Sequence, residues 1–336
     1  MNIYDISEKA GVSIATVSRV INGSENVSEK TRQKVIAVMK ENKYTPNAFA
    51  RGLMLNTMHT IGIMCSDSSD AYLANAVYHL EKELRSNGYD SILCCTGYEL
   101  ENKQKYLKLL SSKRVDALIL AGSSFLDLKS SNNAYIVKAA KQVPVMLMNA
   151  CLNKPGIYNI VCDDCKAVEE AAEYLIEDGR ERILFLYQAR SYSAKEKQEG
   201  YRNALKKHHL PVDKALIRQC PKTKQLDQVE AFLEEISQEG VQFDAVLASE
   251  DFWAVGAVKY ARHRGLSIPE DISIIGFNNS QLAQCCEPEL TTIDNKVELL
   301  CKTTVHLLMQ VLEGQEIPQS TTLQAELVKR KTTSIT

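Results

Sequence analysis

Arg19 carries a planar guanidinium fork, and Ile14 and Ala15 lie about one helical turn before it. Such a fork donates two parallel hydrogen bonds to O6 and N7 of guanine, while small apolar side chains pack on thymine methyls or exclude the wrong base. Chemistry of this kind serves recognition rather than bond making. Other reactive groups in the chain give no comparable pattern. Cys162-x-x-Cys165 has a metal-like or redox-like spacing, but Cys94-Cys95 and Cys285-Cys286 are adjacent doublets that supply no second pair; the ten cysteines read as structural thiols. His208 and His209 close a polar helical stretch. The chain contains no G-x-G-x-x-G, P-loop, G-x-S-x-G or H-E-x-x-H, so neither an enzyme nor a bound cofactor or metal is expected.

The elements that must position Arg19 follow from its neighbours. Ile3, Ile6 and Ala10 recur at helical spacing. Gly11 supplies the left-handed turn that ends this first helix. Ser13 is suited to N-cap a second helix from Ile14 to Asn22, with Gly23 as its stop. Val17, Val20 and Ile21 form the buried stripe, which leaves Ile14, Ala15, Ser18 and Arg19 outward where a recognition helix meets a major groove. Ser28 caps a third helix through Asn42, with Val35, Val38 and Met39 inward. Pro46 breaks the pattern. Residues 47–55 are too short to hold a helix alone, so a helix there needs support.

The 336 residues exceed one small core, so two or three domains are expected. The net charge of −2 conceals an asymmetry: residues 1–56 hold eight Lys/Arg against five Asp/Glu, and the remainder 32 against 37. A basic head on an acidic body fits a DNA-contacting module joined to something else. There is no apolar run of membrane-spanning length and no secretory leader, so a cytoplasmic protein is expected. From Thr60 onward, short apolar runs alternate with helical patterns. Strands are read at 61–65, 92–95, 117–121 and 145–148, with helices at 71–87, 101–112 and 135–142. A second array has strands near 183–187, 216–220, 245–248 and 272–277, with helices near 165–178, 194–208, 225–238 and 252–264. A last helix covers 297–312 and a last strand 323–329. Two such arrays imply two parallel-sheet α/β subdomains.

The residues also carry a family resemblance. Ile3-Tyr4-Asp5-Ile6, Ala10-Gly11-Val12-Ser13, Thr16-Val17-Ser18-Arg19-Val20, Asn22-Gly23, Val27-Ser28-Glu29-Lys30-Thr31-Arg32 and Tyr44-x-Pro46-Asn47-x-x-Ala50-Arg51 resemble the headpiece of the LacI/GalR (lactose-repressor) transcription regulators. Arg114-Val115-Asp116-Ala117-Leu118-Ile119, Glu199-Gly200-Tyr201, Ile268-Pro269-Glu270-Asp271 through Gly276-Phe277, and Leu290-Thr291-Thr292-Ile293 continue the likeness in the family's order. It implies a homodimer with a three-helix helix-turn-helix headpiece (1–46) and a hinge helix and linker (47–59). The core it implies is periplasmic-binding-protein-like, with one subdomain from 60–160 and 291–322 and the other from 161–290 and 323–336. The chain would cross near 160, 290 and 322.

The resemblance also implies a DNA site. Ile14, Ala15 and Arg19 fall on base-edge positions. Asn2, Ser13, Thr16, Ser18, Asn22, Asn26, Ser28 and Thr31 are short polar residues suited to phosphate oxygens. Leu53 matches an apolar lever that wedges into the minor groove, flanked by Asn47, Ala50 and Arg51. A two-fold dimer implies a pseudo-palindromic double-stranded operator, and binding would keep the protein at the nucleoid.

The implied effector site maps to Tyr72, Leu73, Ser123, Asp164, Lys197, Lys222, Glu250 and Asn278 in a cleft between subdomains. Here the chain departs from the usual sugar-binding set. Lys197 replaces an arginine, Lys222 a stacking aromatic, Glu250 an asparagine, and Asn278-Asn279 two aspartates. Two lysines favour an anionic sugar derivative; Glu250 argues the other way unless it pairs with one of them. The reading is therefore a transcriptional regulator, most simply a repressor, of carbohydrate or related metabolic genes, switched by a small-molecule effector. A co-regulator switched by a phosphorylated carrier protein is the alternative. A periplasmic-type binding protein would share the core but not residues 1–55.

Overall fold

Helix α1 (Ile3–Ala10) starts at Asn2, whose side chain accepts from the backbone N–H groups of Tyr4 and Asp5, while Asp5 returns a bond to the Asn2 N–H. It stops at Gly11, whose φ of 58° is left-handed. α2 (Ile14–Ile21) follows after one short turn, and α3 (Glu29–Glu41) begins at the Ser28 cap. Ile6, Ala10, Val17, Val20 and Val35 close a small core among the three helices. The computed structural model describes residues 2–21, 24, 26–44, 57–127, 129–188 and 190–334.

The linker reaches the core at Met58 and Thr60, whose backbone N–H groups both donate to the Asp116 carboxylate at 2.9 Å. From there a six-stranded sheet forms in the order β11-β5-β4-β3-β1-β2. Its strands are β1 (Thr60–Cys65), β2 (Asp90–Cys95), β3 (Ala117–Ala121), β4 (Val145–Met148), β5 (Ile157–Cys162) and β11 (Ser320–Leu323). All its neighbours pair parallel. Parallel pairing requires crossovers, supplied by α4 (Ala71–Ser86), α5 (Leu100–Ser112) and α6 (Ala134–Ala140). One face packs Ile61, Ile63, Leu80 and Met146 against Leu300, Val305 and Leu308 of α12 (Val297–Leu312). The other packs Met64, Leu118 and Leu120 against Leu110, Phe125 and Ile136.

The second sheet runs β12-β10-β9-β8-β6-β7. Its strands are β6 (Ile183–Tyr187), β7 (Ile217–Gln219), β8 (Ala245–Ala248), β9 (Ser273–Phe277), β10 (Thr291–Asp294) and β12 (Glu326–Val328). β12 alone is antiparallel, against β10. Flanking it are α7 (Asp164–Glu177), α8 (Tyr192–Lys207), α9 (Leu226–Gln238) and α10 (Asp251–His263). A short α11 (Gln281–Cys285) follows β9.

The chain crosses between subdomains after Cys162, after Asp294 and after Leu323, later in each case than the sequence reading of 160, 290 and 322. Thr291–Asp294 pairs with β9 and so belongs to the second subdomain, not to 291–322 of the first. Residues 161–162 and 323 pair within the first sheet, not the second. The single last strand read at 323–329 is two strands in different sheets, β11 and β12, broken at 324–325 by the third crossing. No helix among the described residues is long and apolar enough to cross a membrane.

Candidate functional site

On the headpiece, Ser13 Oγ accepts from the Thr16 N–H at 3.2 Å and contacts Thr16 Oγ1 at 2.9 Å. Ser28 repeats the arrangement with Thr31, at 3.3 and 2.9 Å. These caps fix where α2 and α3 begin. Ile14, Ala15 and Arg19 are exposed on α2, with Ser13 beside them, while Val17 and Val20 face the core. Ile14 is 40% exposed. Thr16 and Ser18 are half-buried; Asn2, Asn26 and Ser28 are exposed, and Thr31 is half-buried. Asn22, Asn47, Ala50, Arg51 and Leu53, together with the Gly23 stop and the helix read at 47–55, lie outside the described residues.

The cleft opens at the carboxyl ends of the strands, where ligands of open α/β sheets bind. Its inner chamber, about 130 Å³, is lined by Tyr72, Leu73, Ser123, Asp164, Lys197, Glu250 and Asn278. These are seven of the eight residues assigned from the sequence. Lys222 is not among the lining residues; its Nζ sits 5.9 Å from the Tyr98 ring centroid. The chamber shares Asp70, Tyr72, Tyr98, Gln188, Glu250 and Asn278 with a wider groove of about 1120 Å³. The buried charged groups Asp164 and Lys197 converge in the smaller chamber.

Lys197 is held by packing. Gly200, one turn later on α8, lies so close to α7 that a Cβ there would meet the Cys165 carbonyl at 2.1 Å. Tyr201 beside it is fully buried, stacks on Phe185 at 5.1 Å and donates to the Ile183 carbonyl. α8 is thereby drawn onto α7, and Lys197 is carried into the interior. Its Nζ donates to the Ser249 carbonyl at 3.0 Å and lies 3.3 Å from the Phe277 ring centroid. That ammonium is already compensated by a carbonyl, an aromatic face and the nearby carboxylates.

Burial pushes the Asp164 carboxyl above its ordinary range, opposed by Lys197 and by the Ser193 hydroxyl that donates to it. Burial and the facing Asp70 push Glu250 up to about 7, with Lys197 opposing. Asp70 is also raised, chiefly by burial, while its side chain caps α4 through the Leu73 N–H. Asp251 accepts from Ser280 N–H and Oγ, both at 2.7 Å, and from Thr292 Oγ1. It anchors the turn in which Asn278 and Asn279 have φ of 103° and 45°. Asn295, at the second crossing, donates to Asn278 Oδ1 at 3.0 Å.

Contacts also span the cleft. Ser123 Oγ donates to Ser191 Oγ at 3.0 Å, and Lys224 Nζ reaches Asp67 at 2.8 Å and Ser69. The Lys224 bond holds the Asp67 carboxyl down near 2. The sequence reading missed Ser124, Asn149, Ser191, Ser193 and Asn295. Asn149 and Asn295 directly follow β4 and β10, and Ser124 lies three residues past the end of β3, so strand ends were the available signal. Buried Lys103 was missed too; it fixes the 123–125 turn by donating to the Ser124 carbonyl at 2.6 Å. Three buried polar atoms of the chamber, Ser124 Oγ, Asn149 Oδ1 and Asn295 Oδ1, have no hydrogen-bond partner among the described residues.

A capped helix-turn-helix joined to two sheet lobes around a polar cleft is the architecture of a DNA-binding regulator. Residues 2–47 match the family of bacterial regulatory proteins, lacI family, and residues 58–331 match the periplasmic binding proteins and sugar binding domain of LacI family. The chain belongs to the LacI family of DNA-binding transcriptional regulators. It is 58% identical to an HTH-type transcriptional regulator of Lachnoclostridium phytofermentans, over 99% of this chain and 100% of that one. It is 32% identical to the HTH-type transcriptional regulator DegA of Bacillus subtilis, over 99% and 98%. The lac repressor dimer bound to operator and the anti-inducer ONPF superposes with a TM-score of 0.88 at 28% identity, covering 99% of both chains. These relatives are regulators, not enzymes.

Proposed function

We propose that this chain is a homodimeric repressor of carbohydrate or related metabolic genes, acting at the nucleoid in the cytoplasm. It binds a pseudo-palindromic operator and is switched by a small ligand in the inner chamber. Ile14, Ala15 and Arg19 read base edges, with Arg19 the one strong hydrogen-bonding reader. Asn2, Ser13, Thr16, Ser18, Asn22, Asn26, Ser28 and Thr31 hold phosphates. Leu53, with Asn47, Ala50 and Arg51, opens the minor groove at the centre of the site. The lac repressor dimer seen on its operator supports this assembly. A ligand touching both lobes shifts their arrangement by its differential affinity for the two states, and the Asp116 clamp on Met58 and Thr60 passes that shift to the linker.

The observation that carries the reading is the chamber itself, lined from both lobes, with Ser124 Oγ, Asn149 Oδ1 and Asn295 Oδ1 buried and unpartnered among the described residues. Buried polar atoms of this kind call for a partner, an ordered water or a ligand group admitted when the lobes shift. The charge balance argues against the anionic sugar derivative expected from the sequence. Lys222 lies outside the lining, and Lys197 is already compensated beside Asp164 and Glu250. The effector is a neutral polyhydroxyl compound. Calorimetry with neutral sugars, amino sugars, sugar acids and sugar phosphates tests this: a neutral polyol is expected to bind, and binding of sugar acids or phosphates alone would overturn it.

A further inference from the structure

Cys65 ends β1 and Cys95 ends β2, and the parallel register sets them directly opposite one another. Their Sγ atoms lie 3.7 Å apart. Adjacent strands run about 4.7–4.9 Å apart, inside the roughly 4.4–6.8 Å Cα separation that a disulfide spans. Side-chain rotation together with a small approach of the two strand ends closes the remaining gap. The two thiols differ in access: Cys65 is fully buried and Cys95 is exposed on the edge strand. Neighbouring Cys94 is buried among Met64, Leu107 and Leu118 on the opposite face of the strand.

We infer that Cys65 and Cys95 form a reversible intramolecular disulfide, a thiol-oxidation site at the lip of the effector cleft. The oxidant is a low-molecular-weight disulfide. The Cys95 thiolate attacks one of its sulfurs, forming a mixed disulfide and releasing one small thiolate, which takes up a proton. The Cys65 sulfur then displaces the second small thiolate from Cys95, and the Cys65 proton leaves to solvent. Two protein thiols are oxidised and one small disulfide is reduced to two thiols. Cys95 is the exposed thiol and meets the oxidant first, and buried Cys65 is the resolving partner; burial pushes the Cys65 thiol up to about 12, which slows that second step.

The position ties this chemistry to the cleft. Thr96 N–H donates to the Cys65 carbonyl and Gly97 N–H to the Ser66 carbonyl, both at 2.9 Å. Ser66 and Tyr98 line the chamber, and Asp67 holds Lys224 across the cleft. A bond that draws Cys95 toward Cys65 therefore acts on the segment that carries these groups.

Incubation of the full chain with oxidised glutathione, followed by alkylation and tryptic mapping, tests the site. The peptides to join are 52–82, which holds Cys65, and 86–103, which holds Cys94 and Cys95. The expected product is one linked pair, two hydrogens lighter than its reduced parts and restored by dithiothreitol. It persists in Cys94→Ser and disappears in Cys95→Ser, an exposed position whose substitution spares the fold. Glutathione left on Cys95 without the link, a link that survives Cys95→Ser, or a Cys95–Cys95 bond between two copies would each overturn the inference.

Discussion

The headpiece and the cleft hold their functional groups in place by opposite means. In the headpiece each determinant is local: Asn2 reaches two and three residues ahead, and Ser13 and Ser28 each reach three. In the cleft the partners are far apart in the chain. Ser193 and Asp164 are 29 residues apart, Lys197 and Ser249 52, Asn149 and Tyr72 77, and Lys224 and Asp67 157. The headpiece presents Ile14, Ala15 and Arg19 on an exposed surface that the fold does not depend on, while its capping residues serve the fold as well. The cleft buries charge, so its groups serve recognition and stability together. A change at Ile14, Ala15 or Arg19 should alter binding and spare the fold, while a change in the chamber should alter both.

Lys197→Met is the strongest way to break that contrast. Removing the ammonium leaves the buried Ser249 carbonyl without its donor and takes a nearby cation from Asp164 and Glu250, a loss of about 1–3 kcal/mol. Denaturant unfolding of the core is expected to shift accordingly, with headpiece helicity retained; an unchanged midpoint would mean Lys197 is not compensated as described.

Glu250→Gln sharpens the contrast through pH. Glu250 is faced by Asp70 from α4, Lys197 from α8 and Asp251 from α10. Its carboxyl titrates near 7 in the folded chain against an ordinary value of 4.5, so the folded state holds the extra proton in that window. The stability associated with this proton is complete below 4.5 and is lost as pH rises through 7. The glutamine variant, which mimics the protonated form, is expected to match the parent near pH 4.5 and to exceed it above pH 7, by at most about 3 kcal/mol. Thermal unfolding across pH 4.5–8 measures the difference, and a constant offset would contradict the assignment.

Ser28→Ala probes the local side. It removes one N-cap and is expected to destabilise α3 by about 1 kcal/mol, read as faster hydrogen exchange over 29–41 with the core amides unchanged. Lys224→Ala has the smallest expected effect. The pair with Asp67 is largely exposed, and such pairs are weak and screened by salt. Effector affinity should move by about two-fold or less, and less still at high salt.

This contrast also explains what the sequence made legible. Caps, the Gly11 turn and the Val17–Val20 stripe are written within one or two helical turns. The buried parallel strands read equally well where they were continuously apolar. β5 escaped because Asn159 interrupts it; that side chain is 1% exposed and accepts from the Leu152 N–H while donating to the Gln319 carbonyl and Ser320. β10 carries Thr291 and Thr292, fully buried but paired with Thr333 and Asp251, so its polar composition hid which sheet it joins. The cleft residues could be assigned to positions but not weighed. That Lys197 is spent on Phe277 and Ser249, and that Lys222 stays outside, depends on side chains brought together from distant segments.

The central claim is that α2 presents a base-reading face in a symmetric dimer, with Arg19 its main hydrogen-bonding reader. Selection of bound duplexes from a random DNA pool, run in parallel with the full chain and with Arg19→Ala, tests it most directly. The expected result is a two-fold symmetric site with a guanine fixed at one position of each half-site. The variant should lose that preference, by about 1–3 kcal/mol of discrimination, while the rest of the site persists. A parent protein that selects no symmetric site, or an Arg19→Ala variant that selects the same one, would contradict it.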